Sequence, residues 1–382
     1  MRTTASILPA LAVMASGLLA AGCDDAGADG ASADPSHGVL PPSSSLATTA
    51  LGPNDLFRVA GAAPVPGGFL IFENRDPRVR LMSRAGEQLR ETDIVGEGPG
   101  EFREVSSVAV SAHDSVIVFD ASLRRVSILS PEGTFVRSVQ LWGSEHTGLG
   151  TLRPLPAGWV VSAGGQLRPG EHPSGRVRPE AALLHFSPDG QFVRVIRTFP
   201  GPELFFGEGG GFVTPLLGRR SPWGATRNLI VLSTGDDLTL LHDPTAQTPR
   251  ESSPRVLPPI RPLVDSDHEV ILDSLSALAS SAGRSRIRAT YEITSLPATM
   301  PRYGAVVGTG SGLIWIGTYP DPRKELREWV LLDPGTGAVS RRVELPRTGE
   351  VLWASDSELL AIVTDASGAE RAVLFTLQEE AA

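Results

Sequence analysis

The chain has 382 residues, 41% of them hydrophobic, enough for a sizeable core in one or more domains. Its 41 Gly and 32 Pro exceed the usual shares of about 7% and 5%, and they punctuate the chain rather than cluster, which favours short strands joined by turns. The net charge is −9 and the basic residues, all Arg but for Lys324, are spread along the chain, so no concentrated basic footprint exists and nucleic acid is not an expected partner.

Residues 1–22 read as a secretory signal. Met1-Arg2 is a short positive start, and Ile7 to Ala21 is an apolar run broken only by Pro9, Ser16 and Gly17. That run is shorter than the roughly 20 residues a membrane span needs and has the shape of an export signal. It ends at Leu19-Ala20-Ala21-Gly22-Cys23, which resembles the bacterial lipobox. The resemblance implies cleavage between Gly22 and Cys23, a diacylglycerol on the Cys23 thiol, and a place in the cell envelope held by lipid alone. Asp24 resembles a signal that retains some lipoproteins at the inner membrane, a rule that differs between bacterial groups, so inner and outer membrane both stay open. Cys23 is the sole cysteine, which excludes disulfides within the chain and cysteine metal clusters. Residues 23–55, rich in Ala, Asp, Gly, Ser and Pro, bury too little apolar surface to offset their ordering entropy and are expected to be a flexible tether.

From residue 56 to 380 the pattern is short strands separated by Gly, Pro and Asp turns, and it repeats. Ile71-Phe72-Glu73, Arg78-Val79, Gly86 and Leu89-Arg90 return 47 residues on as Val118-Phe119-Asp120, Arg125-Val126, Gly133 and Val136-Arg137. Ser130-Pro131-Glu132-Gly133-Thr134-Phe135-Val136-Arg137 then returns as Ser187-Pro188-Asp189-Gly190-Gln191-Phe192-Val193-Arg194. A period of this size means that one supersecondary unit is reused, because a single unit cannot bury its own apolar face. Following it gives six units at about 57–94, 102–142, 150–199, 211–258, 301–346 and 349–378, the third enlarged by a Gly- and Pro-rich loop at 164–180. The spacing predicts an all-β, six-bladed β-propeller closed by a strand near Phe57–Gly61 pairing with the final blade, which hides both exposed edges.

One stretch, 262–290, breaks the pattern and reads as a helical insertion between blades four and five. Ser266-Asp267-His268-Glu269 fits a capping box. Ile271, Leu275 and Leu278 then share one helical face, and Arg284, Arg286 and Arg288 near the end suit the helix dipole.

Gly96-Glu97-Gly98-Pro99-Gly100-Glu101-Phe102, between the first two units, resembles the linker of bacterial six-bladed β-propeller lipoproteins related to NHL-repeat and TolB-like propellers. Its glycines permit a sharp passage from an outer strand to the next inner strand, and Phe102 is placed to plug the gap between blades. Pro200-Gly201-Pro202-Glu203-Leu204-Phe205 resembles a degraded second copy, and Phe119 to Gly133 resembles one NHL-type unit. The resemblance implies a binding or scaffold module at the cell envelope. Related propellers include lactonases and amidating lyases with calcium or zinc in the channel.

The seven His are scattered without zinc-site spacing, and no nucleophile elbow or phosphate loop is present. Glu73 and Asp120 occupy one repeated slot, with Arg78 and Arg125 beside it, and could build a binding rim on one face. Repetition favours a structural role for them, since ring-wide needs recur whereas catalytic residues are usually unique. The six Trp are expected to pack between blades. The leading reading is a non-enzymatic, lipid-anchored propeller that takes an envelope protein or glycan and needs no cofactor; no oligomeric state follows from the sequence. The alternative is a metal-dependent, lactonase-like hydrolase or lyase at the channel mouth, with Glu73, Asp120, Glu208 or Asp236 as oxygen ligands to calcium or zinc.

Overall fold

Most short apolar runs bounded by turn residues fold as strands. The computed structural model describes residues 40–378 other than 75, 166–171, 209–210, 255, 258–261, 278 and 366–367. The signal, Cys23 and the tether up to residue 39 lie outside the described residues, as do Leu278 and part of the 164–180 loop.

Strand β1 (Leu46–Leu56) comes first in the chain, followed by β2 (Val59–Val65), β3 (Gly68–Glu73), β4 (Arg78–Met82) and β5 (Gln88–Asp93). The second group is β6 (Ser107–Val110), β7 (Val116–Asp120), β8 (Arg125–Leu129) and β9 (Phe135–Gln140). Next come β10 (Leu149–Leu155), β11 (Gly158–Ala163), β12 (Gly175–Val177), β13 (Glu180–Phe186), β14 (Phe192–Pro200), β15 (Leu204–Phe206) and β16 (Phe212–Val213). They are followed by β17 (Trp223–Thr226), β18 (Leu229–Ser233), β19 (Leu238–His242), β20 (Arg250–Ser252) and two helices, α1 (Asp265–Ala277) and α2 (Ser281–Thr294). The last groups are β21 (Tyr303–Gly308), β22 (Ile314–Thr318), β23 (Leu326–Leu332) and β24 (Val339–Pro346), then β25 (Gly349–Ala354), β26 (Glu358–Thr364) and β27 (Glu370–Leu377).

Antiparallel pairing joins these into four-stranded sheets β2-β3-β4-β5, β6-β7-β8-β9, β10-β11-β13-β14, β17-β18-β19-β20, β21-β22-β23-β24 and β25-β26-β27-β1, plus a small sheet β12-β15-β16. The first strand of each four-stranded sheet lies against the first strand of the next, β2 on β6, then β10, β17, β21 and β25, and β25 returns to β2. A closed cycle of twisted four-stranded antiparallel sheets is a β-propeller.

The core sits between sheets, not within one. In β3, Ile71 packs toward the final sheet with Leu51 and Leu360, while Leu70 and Phe72 pack toward the second sheet with Val116 and Val118. Ile117 and Phe119 of β7 face the third sheet with Leu184 and Phe186. Alternate side chains therefore go to opposite seams, and strands buried on both faces read as unbroken apolar runs. Trp315 and Trp329 fill the seam between the last two sheets, and Trp159 and Trp223 fill two others. Trp142 departs from the packing expectation, since it is 51% exposed.

The repeated Ser-to-Gly turns explain the echo. Gly86, Gly133 and Gly190 donate their N–H to the carbonyls of Ser83, Ser130 and Ser187 at 3.1, 2.9 and 2.9 Å, with φ of +98°, +82° and +93°. A Cβ on Gly86 would stand 2.3 Å from the Ala50 carbonyl oxygen, and one on Gly190 would stand 2.1 Å from that of Gln140. Each turn is pressed against the preceding sheet, so glycine is needed for both its dihedral and its lack of a side chain. Phe102 is 1% exposed and sits in the seam between the first two sheets, as the linker pattern predicts.

Several expectations are corrected. Residues 46–55, placed in the tether, form strand β1 together with Leu56, and it rather than Phe57–Gly61 completes the final sheet by pairing with β27, from Leu46↔Leu377 to Leu56↔Glu370. The fourth four-stranded sheet begins at β17, because β16 belongs to the small sheet. The single helix of 262–290 is two. Ser280 caps α2 by accepting the Gly283 N–H at 3.2 Å, and such a cap starts a new helix. The capping box at Ser266 is also displaced, since it is Asp267 that reaches back to accept the Val264 N–H at 3.0 Å.

Candidate functional site

The six innermost strands enclose a cavity of about 1700 Å³ along the ring axis. At one end each sheet's outer strand crosses to the next inner strand. Arg220, Tyr319, Arg327, Arg347 and Glu350 lie in the lining at this crossover face, while His113, Asp114, Arg227 and Asp356 lie at the opposite end. Arg153, inside the channel, stacks its guanidinium 6.0 Å from the Trp223 ring centre and donates to the Leu152 carbonyl at 2.9 Å. Surrounding protein strips water from its charge and pulls its pKa down to about 10, so it stays protonated at neutral pH.

The helices dock on the crossover face. Ile271 of α1 and Tyr291 of α2 pack with Leu216, Leu217 and Tyr319. Arg323 pairs with Asp267 of α1 at 2.5 Å and with Asp321 at 2.8 Å. Arg176 donates to the Thr294 and Ser295 carbonyls at 3.0 and 2.9 Å, placing a cation at the negative end of α2.

Arg327 is the most unusual group in the lining. It is 7% exposed, and it lies on the face of β23 whose later members, Trp329 and Leu331, are core. Its guanidinium lies 4.7 Å from the Trp329 ring centre in a slot left open by two glycines: a Cβ on Gly304 or Gly317 would stand 2.9 or 2.7 Å from Nη2. Nε donates to the Thr318 carbonyl, whereas Nη2 is buried with no hydrogen-bond partner. Burial pulls this pKa too down to about 10, opposed by Glu350 and reinforced by Arg220. Burial raises the pKa of the nearby Tyr319 phenol, so it remains a neutral donor.

The predicted rim residues lie elsewhere. Glu73 faces Arg78 across the β3–β4 pair, and Asp120 faces Arg125 across β7–β8, in identical register. All four stand at the crossover face, yet none lines the cavity. Glu73 accepts the Phe57 N–H at 2.8 Å and faces Arg80 at 3.4 Å. Fully buried Asp120 accepts the Arg103, Glu104 and Leu123 N–H groups at 2.8, 3.2 and 2.9 Å and the Ser122 hydroxyl at 2.7 Å. Arg125 donates to the Glu97 carbonyl at 2.6 Å and to that of Glu101, clamping the glycine-rich linker, and Arg78 pairs with Asp93 at 3.0 Å. These groups hold turns together.

The four suggested oxygen ligands are not brought together. Asp236 pairs with Arg219 at 2.5 Å, Glu208 is exposed on the turn before β16, and Glu73 and Asp120 belong to separate sheets. Among the described residues no group of three or more His, Cys, Asp or Glu is placed to hold a metal ion.

No protein-family model and no curated protein matches the chain. Among solved structures it is similar to a Bacteroides fragilis protein named as exported (12% identity, 88% of this chain and 95% of that one, TM-score 0.45). It is also similar to a member of the DUF4221 family from Bacteroides vulgatus (10% identity, 89% and 97%, TM-score 0.45) and to virginiamycin B lyase from Staphylococcus aureus (10% identity, 87% and 99%, TM-score 0.42).

Proposed function

We propose that the chain is an exported six-bladed β-propeller, lipid-anchored in the cell envelope through Cys23, that works as a non-enzymatic binding module. Its six four-stranded sheets are the blades, and the helical pair between the fourth and fifth is an insertion that shapes the crossover mouth. The observation that carries this reading is the channel. At about 1700 Å³ it exceeds the roughly 300–1,000 Å³ of a small-molecule pocket, and its mouth is bordered by a helical insertion that the repeats do not require. A wide, charged opening suits a segment of an envelope protein or a glycan.

The test combines fractionation with capture. Full chain recovered from envelope extracts should retain a discrete partner, and a Cys23→Ser chain should leave the membrane fraction. Release of substrate-derived product by purified protein, abolished by a chelator and restored by calcium or zinc, would refute the reading in favour of a lactonase-like enzyme.

A further inference from the structure

We propose that Arg327, with Tyr319 and Arg220 at the same mouth, forms a subsite for a carboxylate group of the channel ligand. The inference rests on the channel being the binding surface and adds the chemistry that the surface selects.

A guanidinium is costly to bury and is normally satisfied by a carboxylate or by several acceptors. Arg327 is more than nine-tenths buried, lines the cavity, and donates to one carbonyl, that of Thr318. It forms no ion pair among the described residues, and Nη2 has no acceptor. Arg80, the other arginine buried this far among the described residues, is treated differently: it reaches Asp55 at 2.7 Å and Glu73 at 3.4 Å. The slot that holds Arg327 is made by Gly304 and Gly317, where any Cβ would strike the guanidinium, so two strands are shaped around a cation that the fold itself leaves short of acceptors. An anion entering from the channel would supply an acceptor on the side of the guanidinium that lines the cavity.

The surroundings choose between anions. Tyr319 supplies a neutral hydroxyl, whose contact with the protein is a long 3.4 Å donation to the Gly218 carbonyl. Arg220 is exposed at the rim and acts on both Arg327 and Tyr319. The carboxylate of Glu350, also exposed, acts on Arg327 from the same mouth, and Arg347 is turned away to the Pro322 carbonyl. One buried guanidinium beside a phenol and a negative neighbour favours a single negative charge over a phosphate dianion. A carboxylate can take a guanidinium edge through two parallel charge-assisted hydrogen bonds.

The full chain is titrated calorimetrically with glucuronate, acetate and inorganic phosphate at fixed ionic strength and neutral pH. Glucuronate and acetate are expected to bind and phosphate to bind more weakly. Arg327→Met should weaken glucuronate by at least about tenfold, and Tyr319→Phe should weaken it less. Should Arg327→Met fail to fold, Glu350→Gln keeps the proposal exposed to refutation: removing an exposed like charge should tighten glucuronate by roughly threefold. Absence of carboxylate binding, tighter phosphate than glucuronate, or unchanged affinity in Glu350→Gln overturns the subsite. Carboxylate binding without any captured envelope partner would refute the module reading and leave the subsite standing. A captured partner whose retention ignores glucuronate, with no carboxylate binding, would do the reverse.

Discussion

At the scale of single residues, this molecule spends its buried charges on turns. Asp120 collects three backbone N–H groups and a hydroxyl with no exposure to solvent, so Asp120→Ala strands three donors at once. A cost of roughly 3 kcal/mol is expected, read as a lower urea midpoint at unchanged slope; an unmoved midpoint would mean that the turn is held by other contacts. Glu203 gives a pH signature. Burial opposes its ionisation, but the Arg219 N–H and the Arg176 guanidinium outweigh burial and hold its pKa below the ordinary 4.5; Arg323 does the same for Asp321. A carboxylate with a lowered folded pKa contributes stability that is complete above its unfolded value and is lost as pH falls through the folded one. Thermal stability should therefore decline from pH 4.5 downward. Glu203→Gln should lower it at neutral pH and flatten that decline, and an unchanged acid limb in the variant would contradict the assignment.

At the scale of elements, β1 closes the ring, although nothing in its own sequence marks it as a strand. Leu46–Leu56 contains Gly52-Pro53 and no long apolar run; its order comes from β27, more than 300 residues away, so a local reading assigns it to the tether. Leu51 anchors it, fully buried between the last and first sheets. Leu51→Ala is expected to cost about 3 kcal/mol, while the same change at Leu89, 52% exposed on β5, should stay within about 0.5 kcal/mol. Equal effects in thermal unfolding would show that β1 does not seal the seam. Strands such as β3, β7, β18 and β26 were legible because each is an apolar run between turn residues, and the repeated glycines have a steric cause at Gly86 and Gly190. The Ser280 cap was hidden because serine is tolerated inside a helix. Arg327 did leave a signal, a charge in phase with Trp329 and Leu331. Its slot, however, is built by Gly304 and Gly317 from neighbouring strands, and Arg220 and Glu350 come from other parts of the chain, so only the closed ring reveals it.

For the whole molecule, cyclic closure determines how the chain should come apart. In an open repeat array a terminal unit has one neighbour and can fray alone. Here every four-stranded sheet shares a core seam with two others, and the final sheet takes strands from both ends of the described chain, β1 and β27. No sheet can leave without opening two seams, each carrying large fully or nearly fully buried side chains such as Phe69, Phe119 and Trp315. Unfolding should then be a single cooperative transition despite the chain's length, which would otherwise favour intermediates. The tryptophans report this directly, because Trp315 and Trp329, Trp159, and Trp223 lie in three different seams. Their fluorescence and the far-ultraviolet circular dichroism should change at one urea midpoint. Deleting Leu46–Leu56 should loosen that cooperativity as well as lower the midpoint, since it opens the edge of β27 and takes Leu51 and Leu56 out of the seam between the last and first sheets. Two separated midpoints in the intact chain would contradict ring-wide coupling, and a sharp single transition in the deleted chain would show that closure by β1 is not its source.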